Sequence, residues 1–213
     1  MPDAFKKSEL WSVLHGIPLH EEEGIGALTL GGYLKEVTSR YAQNEAAVSH
    51  YTDGVERWKY ADLWSHSLAV ARALLACGIG KGTRVGILMT NRLEFLSSVF
   101  GTALAGGVAT PMSTFSTPAE LEILVRNSGC SVLLLERNVL KKDFAAILTE
   151  LEPRIATAAP GELHAPQFPF LRHLAMVDST EATGAIDGWN RFLARGEPVA
   201  PELVEATAAS VSP

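Results

Sequence analysis

The sequence predicts an α/β fold: a mostly parallel sheet flanked by helices, with an antiparallel hairpin at one edge of the sheet. Three observations lead to this prediction. Residues 60–136 alternate between hydrophobic patterns of helical and of strand period. Glycine, proline or asparagine stands at nearly every junction between these patterns. Two strand-like segments before this region are separated by Asp53-Gly54, a pair typical of a hairpin turn.

The predicted elements follow one another in a regular order. A short helix is predicted near residues 9–14, and Thr29 can cap a second helix that continues to about residue 41. The hairpin strands are 46–51 and 55–59. Helices over 61–76, 91–104 and 117–129 then alternate with buried strands over 84–89, 108–111 and 131–135. A helix over 139–151, a strand over 173–177 and a short helix capped by Asp187 complete the pattern.

Two junctions carry specific signals. In Thr117-Pro118-Ala119-Glu120, threonine can cap the helix, proline suits its first position, and glutamate lies three residues after the cap. In Gly78-Ile79-Gly80-Lys81-Gly82, glycines suit a helix cap and a tight turn. This second segment is not predicted to bind phosphate. A phosphate loop leads from strand to helix and places Ser or Thr directly after the Gly-Lys pair.

Composition indicates a globular protein with a well-populated core. The chain has 213 residues, of which 47% are hydrophobic and 20% charged. Three segments are predicted: an amino-terminal extension over 1–28, the α/β subdomain over 29–195, and a flexible tail over 196–213.

Charge and hydropathy exclude two classes of partner. The net charge is −6 and the compact basic cluster is limited to Lys141-Lys142, so no nucleic acid is expected to bind. No apolar run reaches the roughly 20 residues of a membrane-spanning helix. Two isolated cysteines, Cys77 and Cys130, form no disulfide framework, which suits a reducing cytoplasm.

Sequence patterns for common catalytic sites are missing, so no catalytic residue is predicted. No two of the six histidines lie four residues apart on a predicted helix, so no metal site is expected. A topological rule still indicates a place, because parallel sheets bind ligands beyond the carboxyl ends of their strands. The candidate substrate-binding residues there are Asn91, Ser113, Thr114 and Phe115. Asn91 could instead be a helix cap, and the other three could be ordinary loop residues.

Several short motifs together resemble the AMP-forming acyl-CoA synthetases and their adenylating relatives. In order, they are Tyr60-Ala61-Asp62-Leu63, residues 78–87, Asn91 followed by Glu94-Phe95, residues 105–111, Thr117-Pro118-Ala119-Glu120-Leu121 and Asn127-Ser128-Gly129-Cys130. Each motif is weak alone, but their order and spacing are specific to the family. The resemblance implies the first subdomain of the amino-terminal domain of an adenylate-forming ligase.

The resemblance also implies a reaction. Enzymes of this family join a carboxylate to ATP, release pyrophosphate and pass the acyl group from acyl-AMP to coenzyme A. The complete enzyme would therefore use ATP, Mg²⁺ and coenzyme A. The family's phosphate loop, its Mg²⁺-binding glutamate and its mobile carboxy-terminal domain do not occur in these 213 residues. This chain alone is therefore expected to bind no cofactor and to be inactive.

Two other readings stay open, namely a stand-alone, non-catalytic binding or assembly module and an unrelated α/β binding protein. A ligase fragment predicts an exposed apolar patch where further parts dock, whereas a module predicts a polar surface there. Expected partners are the remainder of the ligase or a second copy, bound through such an apolar face.

Overall fold

The computed structural model of the chain describes residues 6–7, 14–15, 27–51, 54–177 and 179–212. Its strands are β1 (Lys6–Lys7), β2 (Leu14–His15), β3 (Glu45–Tyr51), β4 (Gly54–Lys59), β5 (Arg84–Leu88), β6 (Val108–Pro111), β7 (Val132–Leu135), β8 (Asn138–Val139), β9 (Lys142–Asp143), β10 (His173–Met176) and β11 (Ile186–Gly188). Its helices are α1 (Leu30–Arg40), α2 (Tyr60–Ala76), α3 (Leu93–Leu104), α4 (Pro118–Ser128), α5 (Phe144–Leu151), α6 (Arg154–Thr157), α7 (Trp189–Ala194) and α8 (Pro201–Ala209).

Five strands form one sheet with the order β11-β10-β7-β5-β6. Every neighbouring pair in it is parallel. The sequence predicts β5, β6, β7 and β10, and the structure confirms these four. Strand β11 is not predicted from the sequence, because its three residues are too few to show a strand period.

The predicted hairpin is present as β3 and β4, which pair antiparallel with Tyr51 opposite Gly54. The sequence places this hairpin at an edge of the parallel sheet. In the structure the two strands form a separate two-stranded sheet. The hairpin packs instead on α2, where the ring of buried Trp58 stacks on His66 with centroids 4.1 Å apart.

Both faces of the parallel sheet are covered by helices. On β7, Leu133 and Leu135 belong to one apolar cluster, and Val132 and Leu134 belong to the other. This alternation follows from the strand period of two residues. Side chains of α4, α5 and α6 complete the first cluster, and those of α1, α2, α3, α7 and α8 complete the second.

Helices α2 and α3 approach each other closely at a glycine. A Cβ atom on Gly101 would lie 2.7 Å from the Cβ of Val70 and 2.8 Å from the backbone oxygen of Ser67. Any larger residue at this position would therefore force the two helices apart.

The end of the chain differs from the prediction. The sequence predicts an extended or mobile tail after residue 195, but residues within it form α8. Pro201 suits the first helical position, and the alanines that follow favour a helix. Val204 is fully buried against the other helices. Val204 is the buried residue of α8. A single buried position is too little to give the sequence a hydrophobic pattern of helical period.

Asp187 does not cap a helix as predicted. It lies in β11, and the residue that caps α7 is Gly188. The buried Asp187 carboxylate instead contacts two arginines, with Oδ2 2.8 Å from Arg195 Nη2 and Oδ1 3.2 Å from Arg191 Nε. The residue therefore ties the edge strand to the helix that follows it.

The helix predicted near residues 9–14 lies outside the described residues, apart from Leu14, which belongs to β2. In the described part of the chain, no helix combines the length and the apolar character needed to cross a membrane.

Candidate functional site

A pocket of about 490 Å³ lies at the carboxyl ends of β5 and β6. Because the strands are parallel, the loops that follow them meet at the same edge of the sheet. The lining residues come from these loops, from α3 and from the β8–β9 hairpin: Met89, Thr90, Asn91, Phe95, Met112, Ser113, Thr114, Phe115, Val139 and Leu140. The volume lies in the usual range for small-molecule sites, roughly 300–1,000 Å³.

The four candidate residues from the sequence all line this pocket. Asn91 is not the helix cap, because Arg92 occupies that position. The Asn91 side chain is exposed and makes no hydrogen bond to the described residues. Ser113 Oγ accepts a hydrogen bond from the Phe115 N–H at 3.2 Å, so Ser113 also shapes its own loop. The structure brings the four together, and their contact with a substrate stays a prediction.

The lining divides into buried and exposed apolar parts. Met89 and Met112 are buried, and a Cβ on Gly86 would lie only 2.9 Å from Met112 Cε. The missing side chain at Gly86 thus leaves room for Met112 against the sheet. Phe115 and Leu140 are 80% and 85% exposed. The pocket therefore has a deformable thioether base and a rim of two uncovered apolar side chains.

None of the described residues that line the pocket carries a charge. The neighbouring ammonium group of Lys142 is used by the protein itself. Its Nζ donates to the carbonyl oxygens of Thr114 at 3.0 Å and Ser116 at 2.8 Å. These bonds hold the loop after β6 against the hairpin, since they join segments more than 20 residues apart.

A network of charged side chains fixes the other loop. Glu136, directly after β7, accepts hydrogen bonds from the backbone N–H of Thr90 at 2.9 Å and from its hydroxyl at 2.7 Å. Arg92 Nη1 lies 3.5 Å from Glu136, and Arg92 Nε lies 2.8 Å from Glu94. All three charged side chains are less than a quarter exposed. Asn91 lies between Thr90 and Arg92, so the network positions it.

The β8–β9 hairpin is the part of the site that the sequence prediction missed. The sequence predicts a helix from residue 139, but α5 begins only at Phe144, because Asp143 caps it by accepting from the Ala146 N–H at 3.0 Å. Burial acts to raise the pKa of Asp143, but this hydrogen bond and the nearby Arg137 outweigh it and lower the pKa. Aspartate directly before an apolar run was a signal available in the sequence.

The pocket does not fit the phosphates or the metal that the resemblance implies, because these need charged or coordinating groups. In the part of the chain that the structure describes, no group of three or more His, Cys, Asp or Glu could hold a metal ion. Burial raises the pKa of Cys77 to about 11 and also raises that of Cys130. Neither thiol is therefore a nucleophile at neutral pH. The uncharged lining of the pocket suits an organic group better than a phosphate or a metal ion.

Comparison with known proteins decides the family. A family model described as AMP-binding enzyme matches residues 34–208. This chain belongs to that family. The acyl-CoA ligase sidI of Aspergillus fumigatus is 33% identical over 127 residues, which are 60% of this chain and 21% of that protein. Human medium-chain acyl-CoA ligase ACSF2, mitochondrial, is 26% identical over 155 residues, 73% of this chain and 25% of that protein.

A solved structure supports the fold of this AMP-binding family member. The inhibitor-bound N-terminal domain of FACL13 from Mycobacterium tuberculosis aligns with a TM-score of 0.59 at 24% identity, covering 81% of this chain and 36% of that one. The resemblance and the fold predicted from the sequence are thereby confirmed. The chain spans between 21% and 28% of the length of the first curated relatives that it matches. The match therefore covers only a part of each of these longer ligases.

Proposed function

We propose that this chain forms the first subdomain of an acyl-CoA synthetase-like ligase, and that its pocket contacts the organic acid that the whole protein activates. The family match over residues 34–208 carries the proposal. Relatives named acyl-CoA ligases support the reaction class, in which a carboxylate reacts with ATP and the acyl group then passes to coenzyme A. ATP, Mg²⁺ and coenzyme A are held by other parts of the whole protein.

The rim of the pocket favours this function over a stand-alone binding module. A module that works alone should present a polar surface at the carboxyl edge of its sheet. Here that edge exposes Phe115 and Leu140, two large apolar side chains, to water. Exposed apolar groups at one place are typical of surfaces that meet another molecule or another part of the same protein. The partner in this proposal is the remainder of the ligase rather than a second copy.

The 213 residues alone do not adenylate an acid in this proposal. Phosphoryl and nucleotidyl chemistry needs donors and a metal placed where charge develops, and losing one donor of this kind costs about 10²- to 10³-fold in rate. The described pocket supplies none of them. Purified chain should show no ATP–pyrophosphate exchange above a heat-denatured sample. Exchange above that background would contradict the proposal.

The contact with the acid is tested in a chimera in which residues 34–208 replace the matching segment of human ACSF2. Asn91→Ala should raise the KM for a medium-chain acid and leave the KM for ATP unchanged, because Asn91 lines the pocket. Asn44→Ala is the matched control, since exposed Asn44 lies outside the pocket. Equal kinetics for the two variants would contradict a role of Asn91 in binding the acid.

A cytoplasmic location completes the proposal. It is supported by the free thiols of Cys77 and Cys130, since reducing compartments keep cysteines in this state. Four relatives, the human ACSF2 among them, are named as mitochondrial, so the location needs a direct test. Cell fractionation should therefore find the protein with cytosolic markers, and enrichment with mitochondrial markers would contradict this location.

A further inference from the structure

Two arginines stand close together at the amino edge of the parallel sheet. Arg84 is the first residue of β5, and Arg172 directly precedes β10. Ser131 lies between them. Its N–H donates to the Arg84 carbonyl oxygen at 2.9 Å, and its own carbonyl oxygen accepts from the Arg172 N–H at 2.9 Å. Neighbouring strands are about 4.8 Å apart, so the two arginine backbones are roughly 10 Å apart.

The side chains of these three residues lie on the same face of the sheet. The first apolar cluster includes a leucine from each of the three strands, namely Leu88, Leu133 and Leu174. Because side chains alternate along a strand, residues an even number of positions before these leucines share their face. Arg84, Ser131 and Arg172 fulfil this condition. The two guanidinium groups and the serine hydroxyl can therefore reach one ligand at this edge.

The partners of these two arginines set them apart. Seven other arginines in the described part of the chain pair with carboxylates: Arg40, Arg57, Arg92, Arg126, Arg137, Arg191 and Arg195. Among the same residues, the Arg84 guanidinium and Ser131 Oγ have no hydrogen-bond partner. Arg172 Nη1 donates to the carbonyl oxygen of the adjacent Leu171 at 2.9 Å, and Arg172 pairs with no carboxylate there. Two positive charges are therefore uncompensated in a chain whose net charge is −6.

An exposed aromatic ring lies beside Arg84. Gly129, which ends α4 with a φ of 60°, leaves a gap between the two side chains. A Cβ on Gly129 would lie 3.3 Å from Arg84 Nη1 and 3.6 Å from Phe170 Cδ2. The Phe170 side chain is 61% exposed. A ligand held by Arg84 can therefore also cover this ring.

The charge and the ring together favour one class of ligand. Guanidinium groups match the oxygens of phosphate and form charge-assisted hydrogen bonds with them. A phosphate monoester carries between one and two negative charges near neutral pH, whereas a carboxylate carries one. Two arginines on one face therefore favour the phosphate. Its organic substituent would gain apolar contact with Phe170.

We propose that the amino edge of the sheet binds the phosphate group of a phosphate monoester between Arg84 and Arg172, and that the organic part of this ligand lies on Phe170. Ser131 Oγ donates a further hydrogen bond to the phosphate. The site lies at the opposite edge of the sheet from the pocket at the carboxyl ends of β5 and β6. It goes beyond the proposed function and does not depend on it.

The Nε–H signals of arginine in NMR spectra of the ¹⁵N-labelled chain test this site. Titration with phenyl phosphate should shift the Arg84 and Arg172 signals saturably and leave in place that of Arg40, which pairs with Glu36. Inorganic phosphate should bind about threefold to tenfold more weakly, because it leaves Phe170 uncovered. Benzoate, which keeps the ring but replaces the phosphate with a carboxylate, should give no saturable shift. Sodium chloride at matched ionic strength should give none either.

Three variants separate the parts of the site. Arg84→Gln and Arg172→Gln should each bind phenyl phosphate about tenfold more weakly, since a charge-assisted contact is lost. Phe170→Ser should lower the affinity for phenyl phosphate to that for inorganic phosphate. Arg40→Gln is the matched control, because it removes an exposed arginine of α1, and it should bind as the native chain does. An unchanged unfolding temperature shows that a variant is folded.

Four results would overturn the inference. They are no saturable shift with phenyl phosphate, saturable binding of benzoate, native affinity in both folded arginine variants, and equal affinity of the native chain for phenyl phosphate and inorganic phosphate. The last result would indicate an adventitious ion only. The comparison of the three anions uses the native chain, so it decides even where a variant fails to fold. None of these measurements depends on catalysis, so their failure leaves the proposed function untouched.

Discussion

Arg195 offers a sharp test of how the edge of the sheet is stabilised. Its guanidinium donates from Nε to Asp187 Oδ2 at 2.8 Å, and Nη2 lies at the same distance from that oxygen. The Asp187 side chain is 4% exposed and that of Arg195 is 30% exposed. Arg195→Met keeps much of the aliphatic stem but leaves a buried carboxylate without its main partner.

The expected cost follows from this burial. Breaking a buried ion pair from one side costs about 3–5 kcal/mol, because the remaining charge stays desolvated. Arg195 is partly solvated, so about 2–3 kcal/mol is expected here. For a chain of this size, 1 kcal/mol corresponds to roughly 2–4 °C in Tm. Thermal unfolding followed by circular dichroism should therefore show a Tm about 4–12 °C lower.

Arg191 is the matched control for this prediction. Its Nε lies 3.2 Å from Asp187 Oδ1, but its side chain is 60% exposed. Arg191→Met should cost less than about 1 kcal/mol, as exposed ion pairs do. Adding Asp187→Asn to Arg195→Met should recover part of the loss, because the uncompensated charge is removed. Equal Tm values for the two arginine variants would refute this account of the buried pair.

Three more changes have defined outcomes in urea denaturation. Gly101→Ala should cost about 1–3 kcal/mol, since its methyl group would overlap Val70 of α2. Thr117→Ala should cost about 1 kcal/mol by removing the cap of α4. Burial, together with the charge of Arg195, lowers the pKa of His173 below its usual 6.5. The unfolded chain therefore binds this proton more readily, so stability should fall as pH drops below about 6.5, and less so in His173→Gln.

Each of these changes has a matched control. Gly80→Ala places its methyl group in open space and should cost little by comparison with Gly101→Ala. Thr117→Ser keeps the capping hydroxyl and should retain stability, so a loss equal to that of Thr117→Ala would contradict the cap. His164→Gln changes an exposed histidine. A pH profile altered equally by His164→Gln and His173→Gln would contradict the role assigned to burial.

Local signals explain which parts of the fold could be predicted. The Thr117 cap needs only Glu120, three residues away, and the structure forms it as predicted. The role of Asp187 depends on Arg195, which lies eight residues further along the chain, beyond α7, and is brought close by the tertiary fold. The sequence cannot distinguish an aspartate that caps a helix from one that pairs with a distant arginine. It therefore favoured the helix cap, which is the commoner role before a helical pattern.

The same distinction applies to the pocket. Asn91 and the residues after β6 could be located because parallel strands end together, and the sequence shows where each strand ends. Glu136 and Leu140 were missed because their roles depend on the register between β5 and β7 and on a two-residue turn. Apolar residues 139 and 140 fit the period of the helix that begins after them, so the sequence favoured a longer helix.

Acyl-CoA formation by the chimera with human ACSF2 tests the central claim most directly. If this chain is the first subdomain of an acyl-CoA synthetase-like ligase, residues 34–208 should replace the matching segment and leave a protein that converts a medium-chain acid, ATP and coenzyme A into acyl-CoA. The isolated chain, assayed beside it, should form none. A chimera that unfolds cooperatively, as the parent does, yet forms neither acyl-AMP nor acyl-CoA would contradict the claim.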